Sequence, residues 1–171
     1  MDKGFTIIVA TDKMSGIGKD GSLPWPFIPE EMAHFTKTTK TTQDPKRQNA
    51  VIMGRKTWDS IPEKFRPLRG RKNIVLTRTP ALDAVGFDYE TNLDVAIEAA
   101  LTDDTVESVF VIGGGSVYNE AIKHDRCQWV IRTVIFDEFD CDTFFEFDTT
   151  DWEMIGLTSS LAFRIEFWSK K

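Results

Sequence analysis

Val111-Ile112-Gly113-Gly114-Gly115-Ser116-Val117-Tyr118 is the stretch on which the fold turns. An apolar run passes through three glycines into a segment that starts at Ser116 with a helical pattern. Such a strand-to-helix junction lets backbone N–H groups approach a phosphate closely. The spacing is not G-x-G-x-x-G, and the flanking order differs from a Rossmann unit. The same succession occurs upstream in Val51-Ile52-Met53-Gly54-Arg55-Lys56-Thr57-Trp58, where basic residues and a hydroxyl follow the glycine.

Working outward, strands are expected over Phe5–Ala10, Ala50–Met53, Asn73–Thr77, Ser108–Ile112 and Trp129–Phe136. Several are continuous Val/Ile runs, which suits strands covered on both faces. Helical patterns lie between them. Pro29 opens one at the position Pro tolerates, with two acidic residues behind it. Asn92 caps another, with Leu93, Ala96, Ile97, Ala100 and Leu101 on one stripe. Strands alternating with helices imply an α/β fold with a mostly parallel central sheet flanked by helices. Trp152–Leu157 and Leu161–Trp168, on either side of Thr158-Ser159-Ser160, predict a closing antiparallel hairpin. Thr36–Gln48 reads as a surface loop. No repeat or linker marks a second unit, so residues 1–171 are expected to form a single domain.

A length of 171 residues suits one core, and 41% hydrophobic with 28% charged residues is ordinary for a globular chain. The formal charge of −6 argues against nucleic acid as the main partner. Cys127 and Cys141 have no CxxC spacing, and His34 and His124 are isolated, so neither a disulfide framework nor a metal site is expected. Met1-Asp2-Lys3-Gly4 runs straight into a strand with no signal peptide ahead of it, and no apolar run approaches a membrane span. A cytoplasmic, reduced protein is the expectation.

Five segments carry chemistry. Gly16-Ile17-Gly18-Lys19-Asp20-Gly21-Ser22-Leu23-Pro24-Trp25 follows the first strand and must bend sharply; alone it reads as a plain turn, and its place before a helix carrying carboxylates is what lifts it. Next, helical spacing puts Glu31 on one face with Phe35 and near Met32, and leaves Glu30 to solvent with His34. A carboxylate among apolar side chains is costly without a partner, and an amidine-like heterocycle edge offers two parallel hydrogen bonds. Arg55, Lys56, Thr57, Thr77 and Arg78 sit at two strand tips and suit one polyphosphate, although each alone is equally a solvated face. Finally, Ile61, Phe65 and Leu68 beside Arg66, Arg69 and Arg71 suit a groove for an aromatic body and an acidic tail, or else a basic surface loop.

Together these residues resemble dihydrofolate reductase over most of the chain. Gly16-Ile17-Gly18 through Leu23-Pro24-Trp25, Met53 to Trp58, Ile112-Gly113-Gly114 and Asp142-Thr143-Phe144-Phe145 match the family in order and spacing. The resemblance implies hydride transfer from NADPH to C6 of dihydrofolate, with a proton delivered to N5. It implies Glu31 as the active-site carboxylate, supported by Trp25 and Thr143, with Leu23 in the same catalytic loop. Ile8, Val9, Met32, Phe35, Ile61, Leu68, Ile112 and Tyr118 are implied in the substrate pocket, and Arg71 on the glutamate carboxylate. For the cofactor it implies Ala10, Ile17, Gly18, Gly21 and Ser22 at the nicotinamide end. Gly54, Arg55, Lys56, Thr57, Thr77, Arg78, Gly113, Gly114, Gly115, Ser116 and Val117 are implied around the phosphates. The family also places a cis peptide at Gly113–Gly114.

The implied partners are small molecules, namely dihydrofolate and antifolate inhibitors, and the implied state is a monomer without nucleic acid or membrane. Val134 stands where vertebrate members carry Arg after the Thr, and Thr91 falls near where they have another Arg; the second departure bears on the cover over the adenine and 2′-phosphate. Two other classes are weighed against this. A riboflavin-pathway reductase shares the fold, but its ribose-phosphate substrate does not require Glu31. A nucleotide-binding regulator without turnover would have lost the carboxylate or the glycine pair.

Overall fold

The computed structural model describes residues 3–79 and 86–171, so Met1 and Asp2 lie outside the described residues. The chain runs β1 (Phe5–Thr11), β2 (Gly16–Gly18), α1 (Pro29–Lys40), β3 (Gln48–Gly54), α2 (Arg55–Ser60), β4 (Arg71–Leu76) and β5 (Asp88–Glu90). It continues through α3 (Leu93–Thr102), β6 (Val106–Val111), α4 (Gly115–Ala121), β7 (Cys127–Ile135), β8 (Thr143–Phe144), β9 (Trp152–Ser159) and β10 (Phe163–Lys170). Eight strands form one sheet in the order β5-β4-β3-β6-β1-β7-β10-β9, and β2 pairs with β8 separately. Every pairing from β5 to β7 is parallel, while β10 runs antiparallel to both β7 and β9. The expected parallel sheet and closing hairpin are both present. Among the described residues no helix is long and apolar enough to cross a membrane.

Burial explains the continuous apolar runs. All five interior residues of β3 are buried because both sheet faces are covered. One face carries Ile7, Val9, Ile52 and Val111 against Leu93, Ile97 and Val117 of α3 and α4. The other carries Ile8, Val51, Met53 and Ile112 against Trp58 of α2 and Phe35 of α1. Asn92 caps α3 as read, its side chain accepting from the Val95 N–H at 2.9 Å.

Two local expectations need correction. Thr36–Gln48 is not one loop: α1 continues to Lys40, and β3 begins at Gln48. Tertiary anchoring overrides the polar composition there. Thr39 is fully buried, and Asn49 Nδ2 donates to the carbonyls of Thr39 and Thr41 at 3.0 Å each. Residues 16–18 of the glycine-rich segment are strand rather than loop, because β8 supplies partners. A further finding concerns β10, whose alternation does not leave Glu166 in solvent. That residue is 2% exposed, facing Arg132 across the β7–β10 pair.

Candidate active site

Pro29 opens α1 at its first turn, and Glu30 and Glu31 complete that turn, where acidic side chains favour the helix dipole. Helical spacing then separates the pair: Glu30 is exposed and Glu31 half-buried. Burial pushes the Glu31 carboxyl above its usual range, since a charged carboxylate loses water there. Phe35, one turn on, packs onto the cluster holding Ile8 and Ile112.

Tyr118 closes the same place from α4. Its buried hydroxyl donates to the Ile8 carbonyl at 2.8 Å. Burial, and secondarily the neighbouring Glu31 charge, raise the phenol's pKa, so it remains a protonated donor. Met32, Leu23 and Phe27 keep apolar surface exposed on the two segments around the carboxylate. Val9 is buried in the cluster on the opposite sheet face from Ile8. Period two turns its side chain away, and only its backbone can face the site.

The glycine junctions meet at the adjacent tips of β3 and β6. Gly54 N–H donates to the Gly113 carbonyl at 2.8 Å, and Ile112 N–H to that of Ile52 at 2.9 Å. The Gly113–Gly114 peptide is cis, as the resemblance implied. A Cβ at Gly54 would stand 3.2 Å from Val117 Cγ2, and one at Gly114 3.3 Å from Thr57 Oγ1. At Gly115 it would come closer than 3.0 Å to Thr143 Cγ2. These are close backbone approaches, and they leave a narrow cradle that added side chains would fill. Gly54 and Leu76 are direct partners in the β3–β4 ladder. The residues beyond them, Arg55-Lys56-Thr57 and Thr77-Arg78, therefore lie at neighbouring strand tips. Arg55 Nε reaches Asp59 Oδ1 at 3.1 Å, and Thr77 Oγ1 donates to the Thr79 carbonyl at 3.0 Å.

Gly16–Trp25 bends over this cradle's neighbours. Lys19 and Ser22 exchange backbone hydrogen bonds of 2.9 Å, and between them Asp20 and Gly21 have φ of 50° and 78°. An Asp-Gly pair suits this tight hairpin tip. The Asp20 N–H donates to Asp142 Oδ2 at 2.9 Å. Thr143 pairs with Gly18, and its hydroxyl donates to Asp142 Oδ1 at 2.9 Å. Its methyl faces Gly115, close to Ile17. Trp25 is buried, its ring edge-on to Phe139 at 6.0 Å.

Farther along the same sheet face, Ile61 and Leu68 pack on the same cluster as Phe35. Asn73 fixes the Leu68 backbone, its Oδ1 accepting from the Leu68 N–H and its Nδ2 donating to the Leu68 carbonyl, both at 2.9 Å. Arg71 is half-buried, and burial lowers its pKa. Its Nη1 donates to Thr39 Oγ1 at 3.0 Å, which aims the guanidinium along α1.

Sequence reasoning missed Thr133 and gave Asp142 no role beyond its place in the Asp142–Phe145 motif. Thr133, 2% exposed, pairs with Ala10 and shares its strand face with Ile131 and Ile8, the face carrying α1. Asp142 ties the hairpin tip to β8. The only signal for Thr133 was a hydroxyl inside the Val130–Ile135 apolar run.

Comparison with known proteins identifies the family. The family model for dihydrofolate reductase matches residues 4–162. The chain is 40% identical over 159 residues to the dihydrofolate reductase of Aedes albopictus, covering 90% of this chain and 84% of that one. It is 46% identical over 145 residues to that of Heliothis virescens, with 81% and 76% covered. It also matches the bifunctional dihydrofolate reductase-thymidylate synthase of Daucus carota at 44% over 151 residues, and spans 28% of that relative's length. With a match over nearly its whole length, the chain belongs to the dihydrofolate reductase family.

Proposed function

We propose that this chain reduces 7,8-dihydrofolate to 5,6,7,8-tetrahydrofolate with NADPH, through one dihydrofolate-reductase-like domain spanning residues 1–171. The observation that carries the reading is a half-buried carboxylate, Glu31, beside a buried phenol and the glycine cradle. Glu31 presents two oxygens to the pterin amidine edge, a bidentate arrangement that fixes ring orientation. Its raised pKa suits it to hold a proton nearer neutral pH than an ordinary carboxylate and to favour protonation at N5. Phe35, Met32, Ile8 and Ile112 give the ring apolar walls, and Ile61 and Leu68 continue them along the benzoyl group. Arg71 pairs with the terminal carboxylate. Thr133 and Trp25 stand as positioning groups for Glu31, while Thr143 shapes the hairpin against Gly115.

The donor set fits a phosphorylated dinucleotide. Gly113 to Val117 and Gly54 give close backbone approach, and Arg55, Lys56, Thr57, Thr77 and Arg78 give charge and hydroxyls at neighbouring tips. When bound, NADPH supplies the hydride that reaches C6. Ala10, Ile17, Gly18, Gly21, Ser22 and Leu23 cover its nicotinamide end and exclude water. A cytoplasmic setting, a monomeric state and antifolate inhibitors as small-molecule partners belong to the same reading.

Spectrophotometric NADPH oxidation, with and without dihydrofolate, tests the proposal. Glu31→Gln is expected to lower turnover at neutral pH by about 10²- to 10⁴-fold, and Glu30→Gln to change little. Undiminished turnover in Glu31→Gln would refute the assignment.

A further inference from the structure

Asp12 directly follows β1 and is 1% exposed. Its Oδ1 accepts from the N–H groups of Met14 at 2.9 Å and Gly16 at 2.8 Å. Its Oδ2 accepts from the Phe139 N–H at 3.0 Å and the Cys141 thiol at 3.6 Å. One oxygen therefore closes the turn that starts the hairpin, while the other reaches the facing segment 137–141. Burial alone opposes ionisation of this group, but the hydrogen bonds outweigh it and hold the carboxyl below its usual range.

The turn is clamped from other directions as well. Ser15 has a positive φ of 66°, and its Oγ accepts from Arg132 Nη2 at 2.9 Å. Arg132 Nε donates to Thr11 Oγ1 at 3.2 Å, and its Nη1 lies 3.9 Å from buried Glu166 Oε1. The Phe145 N–H donates to the Ser15 carbonyl at 2.9 Å. Beyond this fixed base there is space at Gly21, with nothing within 4 Å of a Cβ built there, and the Asp20 N–H on Asp142 Oδ2 holds the tip. Segment 137–141 in turn carries Phe139, the ring that meets Trp25.

We propose that Asp12 is a positioning residue for hydride transfer, acting through Gly16 on the hairpin base and through Phe139 on Trp25. The inference rests on the reductase reading above. A carboxylate is a costly way to close a four-residue turn in the interior, since one oxygen suffices for that and the charge must be desolvated. Two oxygens spent on two segments instead fix their relative position. Displacing groups around a reacting centre by about 1 Å can cost about 10²-fold in rate without touching the chemistry.

Asp12→Asn separates the two links. The amide oxygen can still accept from Met14 and Gly16, but Nδ2 then faces the Phe139 N–H, donor against donor. In single-turnover kinetics with dihydrofolate, Asp12→Asn is expected to slow hydride transfer by about 10-fold. NADPH binding should be unchanged, and the isotope effect on kcat with deuterated NADPH should rise. Cys141→Ser keeps a donor to Oδ2 and is expected to behave as wild type. Where Asp12→Asn fails to fold, Phe139→Leu decides: it keeps the backbone N–H on Asp12 Oδ2 but removes the ring that meets Trp25, and hydride transfer should slow about threefold. A variant that melts lower yet transfers hydride at the wild-type rate overturns the inference. A wild-type protein that does not oxidise NADPH with dihydrofolate overturns the reductase reading instead.

Discussion

Gly115→Ala puts the glycine cradle to a quantitative test. The new Cβ would stand closer than 3.0 Å to Thr143 Cγ2, whereas ordinary contacts begin near 3.4 Å. The methyl cannot simply rotate aside. Thr143 is β-branched and stiff, its hydroxyl is bound to Asp142 at 2.9 Å, and its backbone pairs with Gly18. Either β8 and the hairpin shift together, or the start of α4 does. Overpacking of this kind costs about 1–3 kcal/mol, which corresponds to roughly 5- to 150-fold if it falls on cofactor binding. Fluorescence titration with NADPH measures that loss, and thermal unfolding measures any share borne by the fold. Thr143→Ser removes the offending methyl and keeps the hydroxyl on Asp142. In a double-mutant cycle it should recover most of the lost affinity. A Gly115→Ala/Thr143→Ser double variant no better than Gly115→Ala alone would refute the steric argument.

Arg71→Leu should raise KM for dihydrofolate by about 10²-fold with kcat little changed, the loss expected for a buried charge pair. A pterin substrate lacking the glutamate tail should not notice the change in a parallel assay. Asn49→Ala strands the carbonyls of Thr39 and Thr41 and the Ser108 N–H that Asn49 Oδ1 accepts at 3.1 Å. A loss of about 3 kcal/mol in denaturant unfolding is expected, and a loss under about 1 kcal/mol would show that the clamp is dispensable. Glu31→Gln should melt higher than wild type at neutral pH. The raised pKa means the folded state holds its proton longer than the unfolded one. Wild-type stability therefore falls as pH rises above the usual 4.5 toward the folded-state value, and the neutral variant lacks that fall.

What was legible in the sequence divides along physical lines. Parallel strands announce themselves because both faces are buried, so β3 and β6 read directly from Val51–Met53 and Val109–Val111. Glu31 was separable from Glu30 because a helix has one fixed period and α1 begins at Pro29. The short pairing of β2 with β8 was not legible, because Gly16–Gly18 has no strand propensity of its own and is held by Thr143 and Phe144 from far along the chain. Thr36–Lys40 read as loop because its helix is anchored by Asn49 rather than by an apolar stripe. Thr133 and Glu166 were hidden for a related reason. Alternation tells which residues share a face, but not whether a helix or a second strand covers that face.

The same distinction bears on how the hairpin works. At its base Gly16 is glycine because the Cys141 side chain stands against the backbone there. Its tip, at Gly21, is glycine because the turn needs a positive φ, and no neighbour approaches. Close packing resists displacement, whereas an open turn with exposed backbone opens locally at little cost. The segment is close-packed at its base, whereas its tip is held by the Asp20 N–H on Asp142 Oδ2 at 2.9 Å and the Lys19–Asp140 ion pair at 3.4 Å. Ile17 and Trp25, to which the proposed hydride transfer assigns fixed positions, lie next to the packed parts. Leu23, 57% exposed, lies outside that packed base.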